Sequence, residues 1–255
     1  MRNAAGARRL IVALDFTSLA PAMAMARQLQ GLVRTVKIGS ALFTACGPAV
    51  IQRVRALGFA VMLDLKFFDI PSTVELSCRA AVHHRVAFLT MHAAGEPAML
   101  EAAVRGVRSE SARLRVARPL VLGVTVLTSV ERRAGTAVTK RVADLARRAL
   151  EAGCDGVVAS AQEASMLRRR FGTRLRIVCP GIRPASARSP ARLSRAPGRA
   201  GSWRAKSSHD QHRVCSPAEA LALGADWLVV GRPITGASRP RVAAAAILSE
   251  MKERA

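Results

Sequence analysis

Short apolar runs recur along the chain, each followed by a polar or glycine turn and then by a longer stretch with helical spacing. There are eight such runs, at residues 10–14, 33–38, 60–65, 87–91, 120–127, 156–159, 176–179 and 227–230. The intervening stretches carry helix punctuation. Gly47-Pro48 opens a helix that Gly58 closes, and Ser216-Pro217-Ala218-Glu219 supplies an N-cap, a proline at the first helical position and a capping-box glutamate, with Gly224 just past the end. "TKRVADLARRALEAG" and "RPRVAAAAILSEMKERA" show the same amphipathic period.

Eight strand-helix units in 255 residues predict a single (β/α)8 barrel domain over 1–255, in which strands covered on both faces read as near-continuous apolar runs. A doubly wound open sheet is the rival arrangement of the same pattern. One segment breaks the rhythm. Residues 184–209, "PASARSPARLSRAPGRAGSWRAKSSH", are rich in Ser, Ala, Arg, Pro and Gly and contain no acidic residue. They read as a flexible loop inserted between the seventh strand and the eighth unit, serving either as a lid or as an excursion without a role.

The barrel carries a test, because this fold builds active sites at the carboxyl ends of its strands. The first run ends in Asp15, the second presents Lys37 and the third gives Asp64 and Lys66 in "DLKFFDIPST". The fourth gives His92, the fifth Thr125 and Thr128, and the sixth Ser160. The seventh ends in "CPGIR" with Arg183, and the eighth in "VVGRP" with Gly231 and Arg232. Alone, the third segment would suit a solvated loop opening on a salt bridge. Polar residues at the same end of eight separate runs favour a shared mouth.

Asp64 and Lys66 are two apart, so on a strand both side chains point into that mouth, and Lys37 reaches it from the neighbouring strand. Buried charges are tolerable when paired, which predicts an alternating array with Asp69 as a further anion. A structural ion-pair network has the same signature. A glycine after the eighth strand lets backbone approach a phosphate closely and Arg232 supplies a planar fork, with Arg183 nearby in sequence order.

Composition narrows the partners. A formal charge of +23 predicts attraction to anions such as phosphorylated metabolites, nucleic acid or an acidic membrane. With no tyrosine and nine Phe plus Trp, base stacking has few platforms, so nucleic acid is not the expected partner. Five cysteines, an odd number without a C-x-x-C pair, point to reduced thiols in a cytoplasmic protein. The five histidines show no metal-ligand spacing in a structured context, so no metal is expected. The apolar segment after the basic N-terminus is broken at Asp15, too short for a signal sequence or a membrane span.

"DLKFFDIPST", with "VALDF", "VKIG", "VTVLTS", "DGVVASAQE", "CPGIRP", "DQHRV" and "VVGRPIT", resembles the orotidine 5'-phosphate decarboxylase family from about residue 10 to residue 240. The resemblance implies a homodimeric barrel that converts orotidine 5'-phosphate to UMP and carbon dioxide without metal or cofactor. It assigns Lys37, Asp64 and Lys66 to a charge array completed by Asp69 of the other subunit, with Lys66 as proton donor. It further implies that Asp15 and Lys37 hold the ribose, Thr73 reaches the partner site and Thr128 lies near the pyrimidine. Arg183, Gln211, Gly231 and Arg232 would surround the phosphate.

Three features depart from the family pattern: the stretch from "PGIRP" to "DQHRV" is longer by roughly twenty residues, the segment after "VLTS" is shorter, and Phe68 stands where many bacterial relatives have histidine. Two other readings are a metal-dependent phosphosugar lyase of the same superfamily and a catalytically silent basic barrel that binds nucleic acid. The former would need an acidic metal ligand where this chain has Lys37, and a cation there repels Mg2+.

Overall fold

The computed structural model describes residues 4–127, 136–184 and 214–252. A short helix, α1 (Ala4–Arg9), leads into β1 (Leu10–Ala13), α2 (Leu19–Leu29), β2 (Thr35–Gly39), α3 (Ser40–Cys46) and α4 (Ala49–Ala56). Next come β3 (Ala60–Phe67), α5 (Pro71–His83), β4 (Phe88–His92), α6 (Pro97–Leu114), β5 (Leu120–Val124) and α7 (Thr136–Glu151). The chain continues through β6 (Gly156–Val158), α8 (Ala161–Phe171) and β7 (Arg176–Cys179), then α9 (Pro217–Ala222), β8 (Trp227–Val230), α10 (Arg232–Thr235) and α11 (Pro240–Glu250). The strands close in order β1 to β8, and β8 pairs in parallel with β1. The expected barrel is therefore the fold, and the open-sheet alternative fails on the β8–β1 pairing.

Strand alternation divides the core in two. Ile11, Ala13, Met62, Phe88, Leu122, Val178 and Val229 form a cluster of their own inside the barrel, while the larger cluster fills the space between strands and helices. Each strand thus buries both faces, which is why the runs lack polar alternation. Val36, Val61 and Leu89, all without solvent exposure, face outward against the helices.

The predicted helix signals act as expected. Ser216 accepts a hydrogen bond from the Glu219 N–H and the Glu219 carboxylate accepts from the Ser216 N–H, completing the capping box of α9. Gly58, at φ +89°, turns the chain out of α4 into β3. Three details differ from expectation. Ser40 to Cys46 form a helix of their own before Gly47. The fifth strand stops at Val124 instead of 127, and just beyond it the Thr125 N–H and hydroxyl both donate to the Val158 carbonyl, at 3.1 and 2.9 Å. The third strand runs on to Phe67, with a register shift between Leu63 and Phe67.

The inserted stretch expected over 184–209 lies outside the described residues except for Pro184. Its flanks are described and they meet. Ile182 bridges Cys215 in parallel, the Arg183 N–H donates to the Cys215 carbonyl at 3.0 Å, and the Cys215 N–H donates to Gly181 at 3.3 Å.

Candidate active site

Inward-facing positions at the carboxyl ends of β1 to β4 build the site. Ala13, Met62 and Phe88 point into the barrel, so Asp15, Asp64 and Thr90, each two residues further on, stand above them at its mouth. Lys37 joins this layer through its register beside Ala13 on one side and Met62 on the other. Small residues leave the space: a Cβ on Gly39 would lie 3.1 Å from Lys37 Nζ, and one on Gly231 would lie 3.6 Å from Asp15 Oδ2.

These side chains form one alternating chain of charge. Lys37 Nζ lies 2.9 Å from Asp15 Oδ1 and 3.4 Å from Asp64 Oδ2, and Lys66 Nζ lies 2.9 Å from the same Asp64 oxygen. Asp64 and Lys37 are largely buried, at 10% and 12% side-chain exposure, whereas Asp15 is open at 60%. Burial pushes the Asp64 carboxyl upward, but the ammonium groups of Lys37 and Lys66 with hydrogen bonds from Lys66 and Thr90 more than offset it, leaving Asp64 below the usual carboxylate range. Burial likewise opposes charge on Lys37, and attraction to Asp15 and Asp64 outweighs it, so its pKa is raised. Asp64 and Lys37 are thus each held in the charged form by their partners.

Thr90 is the residue that sequence reasoning passed over. It is wholly buried; its hydroxyl donates to Asp64 Oδ1 at 2.9 Å and accepts the Lys66 N–H at 3.0 Å. In "FLTMH" a threonine reads as an ordinary β-branched strand residue. The one available signal is its position, two residues beyond an inward-facing core residue and two before His92.

Lys66 reaches Asp64 differently from the simple alternation expected. Its backbone sits at φ +52°, within the register shift, so the strand is kinked where its ammonium is delivered. Beyond it, Lys66, Phe68, Asp69, Thr73 and His92 contribute to the walls of a cleft of about 400 Å3. Phe68 is 62% exposed and meets the His92 ring edge-on, with centroids 5.7 Å apart. Burial, followed by the Lys66 charge, lowers the His92 pKa. Asp69 is not drawn into the array of its own chain; it is exposed and accepts the Ile70 N–H at 2.6 Å.

Of the phosphate candidates, Gly231 and Arg232 follow β8 at the same rim, with Gly231 beside Ala13 and Asp15. Arg183 is half-buried just after β7. Thr128 and Gln211 lie outside the described residues. Among the described residues, no three His, Cys, Asp or Glu side chains gather as a metal-binding group. None of the five cysteines is in a disulfide, and among the described residues no helix is long and apolar enough to cross a membrane.

Comparison with known proteins finds relatives along nearly the whole chain. The family described as Orotidine 5'-phosphate decarboxylase / HUMPS matches residues 8–247. A protein named orotidine 5'-phosphate decarboxylase from Halorhodospira halophila (strain DSM 244 / SL1) is 43% identical over 252 residues, covering 96% of this chain and 97% of its own. One of the same name from Moorella thermoacetica (strain ATCC 39073 / JCM 9320) is 43% identical over 251 residues, covering 96% and 92%. The crystal structure of orotidine 5'-phosphate decarboxylase from Lactobacillus acidophilus aligns with a TM-score of 0.77 at 30% identity, covering 96% of this chain and 99% of that one.

Proposed function

Since the chain belongs to the Orotidine 5'-phosphate decarboxylase / HUMPS family, we propose that its charged mouth decarboxylates orotidine 5'-phosphate to UMP and carbon dioxide. The chain is a carboxy-lyase of pyrimidine biosynthesis. The observation that carries the reading is the Asp15–Lys37–Asp64–Lys66 sequence of ion pairs at the carboxyl end of a closed barrel.

Loss of carbon dioxide from C6 of the pyrimidine leaves an electron pair on a carbon that delocalises it poorly. The barrier therefore depends on how the site treats that charge. An ammonium held in place beforehand needs no reorganisation when the charge develops. At about 3 Å and an effective dielectric near 20, one such contact is worth on the order of 5 kcal/mol before desolvation, or roughly four powers of ten in rate. Lys66 supplies this ammonium and then delivers its proton to C6, where a C–H bond replaces the broken C–C bond. Asp64 stands beside the departing carboxylate and orients both lysines.

By position at the rim, Asp15 and Lys37 hold the ribose hydroxyls and Arg183, Gly231 and Arg232 take the phosphate. The family resemblance further assigns Thr128 to the pyrimidine and Gln211 to the phosphate. Phosphate binding remote from C6 contributes by committing the substrate to the site.

The functional unit in this reading is a homodimer. Asp69 and Thr73 face outward beside Lys66 rather than into their own array, in a region where Phe68, Ile70 and Leu76 are all more than 60% exposed. A second copy covering that apolar surface brings its Asp69 and Thr73 to the array. Reaction in the cytoplasm suits five cysteines that form no disulfide.

The alternative, a metal-dependent phosphosugar lyase, would place an acidic metal ligand at the second strand. The Lys37 ammonium, tied to Asp15 and Asp64, disfavours a divalent cation at that position. The test is a spectroscopic assay of orotidine 5'-phosphate consumption with chelator present. Turnover is expected in the wild type and none in Lys66→Ala, with its thermal unfolding little changed; full activity in that variant would overturn the assignment of Lys66.

A further inference from the structure

We propose that Thr90 is a positioning residue of this site, one hydroxyl that fixes both the kinked backbone of Lys66 and the rotamer of Asp64. The proposal rests on the reading of Lys66 and Asp64 as the catalytic pair.

The hydrogen-bond geometry gives the hydroxyl a single orientation. A threonine hydroxyl has one proton to donate and lone pairs to accept with. The Lys66 N–H points at Thr90 Oγ1 from 3.0 Å, and a donor cannot be met by another donor, so the hydroxyl must accept there. Its proton is then free for Asp64 Oδ1, 2.9 Å away, which as an ionised carboxylate oxygen only accepts. Both bonds run between β3 and β4, and Thr90 has no exposure to solvent that could replace either partner.

Each bond has a separate consequence. At Lys66 the strand leaves the regular ladder, with register partners Leu63↔Leu89 before the shift and Phe67↔Met91 after it. A β-bulge leaves backbone groups without their ladder partners. The Thr90 hydroxyl takes one of these, the Lys66 N–H, and so secures a φ of +52° that a lysine adopts only when its surroundings hold it there. At Asp64, the two oxygens are divided: Oδ2 receives Lys66 at 2.9 Å and Lys37 at 3.4 Å, and Oδ1 receives Thr90. With Oδ1 anchored, the carboxylate plane cannot rotate, and the oxygen that orients both ammonium groups stays fixed. Thr90 touches neither substrate nor reacting atoms in this account. It acts through the two residues that do.

The test compares Thr90→Val, which keeps the shape and removes the hydroxyl, with Thr90→Ser, which keeps the hydroxyl. Thr90→Val is expected to lower kcat roughly 10- to 100-fold with KM changed far less, as a lost orienting partner does, while Thr90→Ser stays near wild type. Removing one donor to Asp64 also moves the acid limb of the kcat profile to higher pH in Thr90→Val, and Thr90→Ser returns it. Amide exchange at Lys66 should be slow in the wild type, faster in Thr90→Val and slow again in Thr90→Ser.

A role confined to packing predicts a lower Tm with kcat and pH profile unchanged, and that result overturns the proposal. If Thr90→Val does not fold, Thr90→Ala is the second hydroxyl-free variant, and rapid Lys66 amide exchange in the wild type itself is equally decisive against the idea. Lys66→Ala is measured alongside. Loss of turnover in Lys66→Ala with a wild-type Thr90→Val sinks the inference alone, whereas full turnover in Lys66→Ala sinks the catalytic reading beneath it.

Discussion

The ammonium of Lys66 stands 2.9 Å from Asp64 although the Lys66 backbone, at φ +52°, has left the extended region of the strand that carries both residues. A side chain with a Cβ pays for that conformation, by about 1 kcal/mol, and glycine does not. Two variants that both remove the ammonium should therefore differ in stability. Lys66→Gly is expected to unfold at higher urea than Lys66→Ala, by about 1 kcal/mol, although neither turns over. If alanine is the more stable of the two, the left-handed kink at this residue is wrong.

The array also sets a pH dependence. Asp64 has its carboxyl held below its ordinary value of 3.8, by Lys37 and Lys66 against the opposing effect of burial. Its contribution to stability is fully present above that ordinary value and is lost as pH falls through the lower folded one. Lys37 is shifted above its ordinary 10.5, by Asp15 and Asp64 against burial, so its contribution is complete below 10.5 and disappears as pH rises through the folded value. Asp64→Asn leaves Lys37 buried without its inner partner and is expected to cost about 3–5 kcal/mol near neutrality. Urea unfolding from pH 2 to pH 7 should show the gap between wild type and Asp64→Asn closing in acid. A gap independent of pH would mean that the carboxylate charge is not what stabilises this layer.

The proposed sharing of the site between two copies makes a quantitative prediction. If Asp69 serves the partner's array, Lys66→Ala and Asp69→Ala each remove both sites of their own homodimer. Mixed and re-equilibrated, half the dimers are hybrids, and each hybrid has one intact site, so activity should recover to about a quarter of wild type. Substituting Ile70 and Leu76 by aspartate should in turn give a monomer by sedimentation and little activity, because these side chains are 63% and 65% exposed on the chain alone. No recovery on mixing, together with a monomeric wild type, would remove the dimer from the mechanism.

The barrel was readable because its physics is periodic. Strands buried on both faces leave unbroken apolar runs, and β7 and β8 begin and end where the runs at 176–179 and 227–230 do. Lys37, Asp64 and Lys66 stood out because charge beside such runs demands a partner, and the ion pairs provide it. Neither Thr90 nor the Lys66 kink had a comparable mark. Threonine suits a strand on propensity alone, and left-handed backbone is legible chiefly through glycine, which is absent from "DLKFF". The helix at Ser40–Cys46 was missed for a related reason: it follows β2 directly, without a side-chain cap to announce it.

The described flanks of the inserted stretch bear on its removal. Ile182 and Cys215 are bridged, and backbone hydrogen bonds join Arg183 to Cys215 and Cys215 to Gly181, so the chain is already closed at the base of the excursion. Deleting residues 187–206 shortens a connection whose ends stay where these bonds hold them, and loop entropy changes only slowly with length, by about 0.6 kcal/mol for each halving. The variant should fold with a Tm equal to or slightly above wild type, keep kcat, and keep or lower KM for orotidine 5'-phosphate. A large rise in KM at unchanged Tm would instead assign part of the 187–206 span to holding the phosphate, beside Arg183 and Arg232.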